Sequence, residues 1–507
     1  MNDNNRIIFN TTVVYGQLVV SMLIGLLSVR FILQALGEDD YGTYSVVAGI
    51  ISTLNVFTTC ISGASMRFMS HSLGSKDMEL SKTTFNTSLK IHILFGFLLL
   101  LALEVGGWLM FEYFINIPES RLESAKIVYQ FMIITAYVTI VSVPFDAIIN
   151  AHENLLFLSV VTIGGQVLSL FSALYLLYIY EGDKLLLYGF LMLLIAIIQR
   201  ITKQVYCHRK YEECTISLSR YKDNTLFKRM LSFIGWDFLS NAIGSLSSHL
   251  NTLLINNYFG VKLNAGQGVA GQVNKHVNQL STAITRAITP QMNKSEGSGD
   301  RTRLIKLTEV GVKYTTFIFA LFAIPIMLEL PFLLKLWLGK IPSYAVIFCM
   351  MIMITQIISK LTWQIGNAVR AVGDIKGITI GGSIINLSTI LLSFLVLYFG
   401  GKPESIYYVG IFMALIKGGL FLYFGEKEVG IDPKQYIKET IVPFVIPLAI
   451  SLAVAFPLQL LMNESFFRFV LVVSSFVLTF SFLFIRFRMS ESERVTLKNY
   501  IKSFLHK

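Results

Sequence analysis

Between Gly266 and Arg286 the chain places Gln272, Lys275, Gln279, Thr282 and Arg286 three or four residues apart. At about 100° per residue these five side chains fall on one face of a helix. Val273, Val277, Leu280, Ile284 and Ile288 fall on the opposite face. Cations interleaved with amides and a hydroxyl recognise anions, and the arginine fork matches phosphate in particular. The segment reads as a membrane span, where such a face must look on water or a polar ligand, not lipid. Polar packing between helices is the alternative reading. Lys275 and Arg286 are therefore expected to bind substrate in a cationic cavity, with Gln272 and Gln279 beside them.

Other ionisable residues fall within apolar runs: Arg30, Glu104, Asp146, Asp237, His249, His276, Lys313, Lys360, Lys417 and Arg468. Lys417 and Arg468 lie near span ends and are expected to snorkel to the interface. Lys360 and Arg67 are secondary candidates for the site. Arg30 stands shortly before the acidic turn Glu38-Asp39-Asp40, so it either faces the cavity or pairs with that turn. Asn10, Gln17, Ser21 and Ser28 form a polar stripe on roughly the other side of the same helix. Asn10 and Gln17 are candidates for contacts to a polar substrate. No G-x-S-x-G, Walker A or HExxH pattern occurs, so neither an enzyme nor an ATP-driven pump is expected. Cys60, Cys207, Cys214 and Cys349 fit no zinc spacing, and no metal is expected.

The elements that would position these residues follow from composition. Of 507 residues 54% are hydrophobic and only 14% charged, against roughly 25% charged in soluble domains. That excludes disordered, disulfide-scaffold and collagen-like chains. Runs of about 20 apolar residues recur about fourteen times, from residues 9–35 to 466–486. They are too long for membrane strands, so the fold class is an all-α integral membrane protein. The N-terminal run is too long for a signal peptide. With both termini cytoplasmic, 28 of the 42 Lys and Arg lie on the inside and 7 on the outside. This positive-inside bias locates the net charge of +11 and removes the nucleic-acid partner it would otherwise suggest.

The two halves share signals. Leu36-Gly37 is followed by Ala48-Gly49, and Phe259-Gly260 by Ala270-Gly271, at an offset of 222–223 residues. Asn150-Ala151-His152-Glu153 corresponds to Arg370-Ala371-Val372-Gly373 at an offset of 220. A six-helix repeat predicts two lobes related by a pseudo-two-fold axis along the membrane normal. The expected organisation is an N-terminal lobe at 1–206, a basic linker at 207–229 and a C-terminal lobe at 230–425. Two further helices at 441–486 and an amphipathic tail at 487–507 follow, the tail opening on Ser490-Glu491-Ser492-Glu493.

The turn Leu36-Gly37-Glu38-Asp39-Asp40-Tyr41-Gly42-Thr43-Tyr44 resembles the L-G-x-x-x-Y-G-x-Y turn of polysaccharide flippases. Gly74-Ser75-Lys76-Asp77, Phe85-Asn86-Thr87-Ser88 and Ala151-His152-Glu153 are also similar to that family. Those proteins belong to the multidrug/oligosaccharidyl-lipid/polysaccharide (MOP) superfamily. The resemblance implies a MATE-like fold of fourteen helices and transport by alternating access. The implied substrate is an undecaprenyl-diphosphate-linked oligosaccharide for O-antigen or capsule, moved across a bacterial inner membrane. The implied partners are membrane lipids, a glycan polymerase and glycosyltransferases. Related lipid-linked precursor flippases hold the diphosphate with arginines of helices 1, 2 and 8, which the resemblance carries onto Arg30, Arg67 and the Lys275–Arg286 face. A coupling H+ or Na+ ion maps onto no motif here. The alternatives are a cation-coupled multidrug exporter of the same superfamily and a membrane polymerase or ligase acting on lipid-linked glycan.

Overall fold

The computed structural model describes residues 3–52, 55–113, 119–491 and 493–495. Every regular element among them is helical. The first half contains α1 (Asp3–Ser52), α2 (Asn55–Gly74), α3 (Met78–Tyr113), α4 (Glu119–Ala151), α5 (Leu155–Tyr178) and α6 (Lys184–Lys210). A short turn at Glu212–Cys214 leads to α7 (Asn224–Phe259) and α8 (Val261–Gly297). Then come α9 (Arg301–Leu328), α10 (Leu330–Leu338), α11 (Ala345–Val372), α12 (Lys376–Tyr398) and α13 (Ser405–Phe424). The single turn α14 (Pro433–Tyr436) precedes α15 (Val442–Leu461) and α16 (Phe466–Phe487). The amphipathic stretch expected at Leu497 to Leu505 lies outside the described residues.

Eleven of the described stretches are long and apolar enough to cross a membrane, so the chain is a multi-pass membrane protein. The three other expected spans also coincide with helix. They are residues Gly37–Ser52 of α1 together with α2, then α7 and α8. Their polar residues, densest in α8, set them apart from the eleven.

The chain forms two compact units. The first comprises Arg6–Phe238 and Asn293–Asp300; the second comprises Met1–Asn5, Leu239–Met292 and Arg301–Lys507. In the first, Met69, Phe85, Phe145, Ile148 and Cys207 pack α2, α3, α4 and α6 around one core. In the second, Ala320, Phe444, Val472, Phe476 and Phe480 pack α15 and α16 onto α9. Arg468 is a correction to the expected snorkelling. It is only 7% exposed and pairs with the fully buried Glu329 at 2.9 Å. A carboxylate at the foot of α9 gives the guanidinium a partner that the interface would otherwise supply.

The positions paired between the two halves share a backbone feature, a positive φ. Gly37 and Gly260 have φ of 76° and 82°, each closing one helical segment before the next begins. Glu153 and Gly373 have φ of 58° and 106° at the ends of α4 and α11. Gly37 also has ψ of 175°, a region essentially reserved for glycine. The helix boundary there is a backbone necessity.

Candidate functional site

Within the second unit, α8 separates its two faces as its periodicity demands. Val277, Ile284 and Ile288 are buried. Gln272, Lys275, Gln279 and Arg286 are exposed, and Thr282 is half-buried. Neither Lys275 nor Arg286 forms an ion pair among the described residues. Apolar contacts fix the back of this face: Val277 packs with Phe319, Ala323 and Met353 of α9 and α11. One polar contact fixes its side, where Gln364 Nε2 of α11 donates to Thr285 Oγ1 at 2.9 Å. Asn367 Nδ2 in turn donates to Gln364 Oε1 at 2.8 Å. Lys360, one turn before Gln364, is buried with its Nζ 5.8 Å from the Phe319 ring centre. Lys417 Nζ reaches Asn386 Oδ1 at 3.5 Å.

The first unit treats its candidates differently. Arg30 is exposed on α1 and has no ion pair among the described residues. Asp40 of the acidic turn is bound by Arg121, at 2.9 Å from Nε to Oδ1, and Arg121 also reaches Asp183 at 3.4 Å. Arg67 is half-buried near the end of α2, its guanidinium 4.5 Å and 5.3 Å from the ring centres of Phe68 and Phe233. Asn10 Nδ2 donates to the Glu153 carbonyl at 3.0 Å. Gln17 Oε1 accepts from Ser159 Oγ at 2.8 Å. Both amides are thus engaged in holding α1 to the α4–α5 region.

A second cluster, centred on the α4–α5 corner, was not among the expected site residues. Glu153 is buried, accepting Lys294 Nζ at 2.8 Å and Arg6 Nε at 3.3 Å. Arg6 also donates to the His152 carbonyl, and His152 pairs with Glu213 while stacking on Tyr211. Burial pushes the Glu213 carboxyl up. Hydrogen bonds from His152 and from its own backbone outweigh that and leave it below the usual carboxylate range. Beside this cluster α2 and the end of α8 meet with almost no gap. A Cβ on Gly74 would stand 2.2 Å from the Lys294 carbonyl oxygen, and one on Gly297 2.0 Å from that of His71. The sequence signal was the Ala-His-Glu string itself, a non-glycine residue at a repeat position where the second half has glycine.

Among the described residues no three His, Cys, Asp or Glu side chains gather to hold a metal, and all four cysteines are buried and free. Residues 15–174 match the MatE family model. A search of curated proteins finds no match. Among solved structures, a MATE protein in a bent conformation gives a TM-score of 0.74 at 12% identity, covering 87% of this chain and 98% of its own. The fold is the MATE fold. An outward-facing multidrug resistance MATE family transporter of the MOP superfamily gives 0.71 at 11% identity, with 85% and 96% covered. A MOP superfamily transporter from Pyrococcus furiosus, described as having a binding pocket of reverse polarity, also gives 0.71, at 10% identity and the same coverage.

Proposed function

We propose that this MATE-fold protein is a flippase. It moves polyprenyl-diphosphate-linked oligosaccharide repeat units across the bacterial inner membrane by alternating access, for surface polysaccharide biosynthesis. The carrying observation is the exposed face of α8, where Lys275 and Arg286 stand among Gln272, Gln279 and Thr282 with no acidic residue on that face. Two unpaired cations on a membrane helix are costly unless an anion or water meets them. A diphosphate supplies that charge, the amides suit sugar hydroxyls, and the polyprenyl chain stays in lipid. Buried Lys360 of α11 acts as supporting positive charge. Both termini are cytoplasmic, and a proton or sodium ion drives the cycle.

The test is export of surface polysaccharide in a strain lacking this chain, complemented by the natural protein, Lys275→Gln or Arg286→Gln. Both variants are expected to reach the membrane at the natural level and to lose export. Full complementation by both removes those residues from the site. The other reading, a multidrug exporter, is favoured if the deletion strain becomes drug-sensitive while its surface glycan is unchanged.

A further inference from the structure

Lys275 and Arg286 share one face, but Arg286 stands eleven positions after Lys275 on an uninterrupted stretch of helix. At 1.5 Å per residue their Cα atoms stand about 16 Å apart along the axis. Both Cα–Cβ bonds tilt toward the helix N-terminus, so the two cationic heads lean the same way and the separation persists. A hydrogen bond from each nitrogen reaches about 3 Å. Two linked phosphates are far too short to close that span. Each cation has its own polar company. Lys275 lies between Gln272 one turn before and Gln279 one turn after, and Arg286 follows Thr282 by one turn. Arg286 also neighbours Thr285, which the Gln364 amide fixes. The residues between Gln279 and Thr282 carry no charge.

We propose that α8 carries two separate anion stations, one at Lys275 and one at Arg286, each of which accepts a diphosphate by itself. A headgroup moving along α8 is then handed from one to the other. This rests on the anionic-substrate reading of the α8 face and makes it a relay in place of a single pocket. Buried Lys360 sits one turn before Gln364, and Gln364 is level with Thr285. Its charge therefore falls between the two stations and smooths the passage.

The test is calorimetric titration of inorganic pyrophosphate into the detergent-purified full chain, with Lys275→Gln, Arg286→Gln and the double variant run alongside. The double variant sets the baseline for binding elsewhere, such as the basic loops. Two equivalents above that baseline are expected for the natural protein and one for each single variant. The surviving station should keep its affinity to within about twofold, because perturbations more than about 10 Å apart act independently. Both substitutions are at exposed positions, and the retained equivalent in each single variant reports that it is folded. Only one equivalent above that baseline in the natural protein, absent from both single variants, would mean one shared site, overturning the relay and sparing the anion reading. Natural protein at the double-variant baseline would sink both.

Discussion

Replacing Glu153 should give an order of stabilities opposite to the usual one for alanine and glycine. Glu153 holds φ of 58°, a left-handed conformation that costs a non-glycine residue about 1 kcal/mol or more. Its carboxylate is 5% exposed and meets Lys294, 27% exposed, and Arg6, 39% exposed. Screening limits the Arg6 pair to less than about 1 kcal/mol. The shorter, better-covered Lys294 pair contributes about 1–2 kcal/mol. Glu153→Ala loses both pairs and keeps the unfavourable backbone, for a loss of about 1–3 kcal/mol. Glu153→Gly loses the same pairs and relieves the backbone, so it should be more stable than the alanine variant by about 1 kcal/mol. In an ordinary helix the glycine variant would be the weaker by a similar amount. Equilibrium unfolding of the purified chain in mixed detergent micelles reads the difference. An alanine variant at least as stable as the glycine variant would refute the idea that ion pairs hold a strained backbone at this corner.

Three other expectations use the same assay. Gly37→Ala forces a side chain onto φ 76° and ψ 175° and should cost about 1–3 kcal/mol, whereas Gly25→Ala, in open space, should cost nothing. Arg468→Met leaves Glu329 buried and unpaired and should cost about 3–5 kcal/mol; the pair of changes Arg468→Met with Glu329→Met should recover most of that. Glu213 has a folded-state pKa below its ordinary value of 4.5. Its contribution is thus present above that pH and lost as pH falls through the folded value. Glu213→Gln should flatten the acid limb of stability below about pH 4.5, and an unchanged limb would remove His152–Glu213 from the account.

The sequence foretold most where the signal is periodic or local. The α8 face was legible because solvent and core impose the same 3.6-residue period that spaces Lys275, Gln279 and Arg286. The helix break at Gly37 and its echo at Gly260 were legible because only glycine takes that backbone readily. Partners across the chain were not. The expected choice for Arg30 was between the cavity and a turn eight to ten residues away, yet Asp40 of that turn pairs with Arg121. Proximity in sequence counts for little once Gly37 redirects the chain. Glu153 meets Arg6 and Lys294 from about 140 residues away in each direction, which no spacing rule reaches. Arg468 was misjudged because a buried cation looks the same in sequence as one that snorkels until its carboxylate is found.

The central claim is that the cationic face of α8 carries an anionic lipid headgroup. Its most direct measurement is translocation of a fluorescent polyprenyl diphosphate in liposomes containing the purified chain, followed by quenching from the outer side. The natural protein should equilibrate the lipid between leaflets, and the Lys275→Gln, Arg286→Gln double variant should slow this to the rate of empty liposomes. Equal rates for the double variant and the natural protein would contradict the claim.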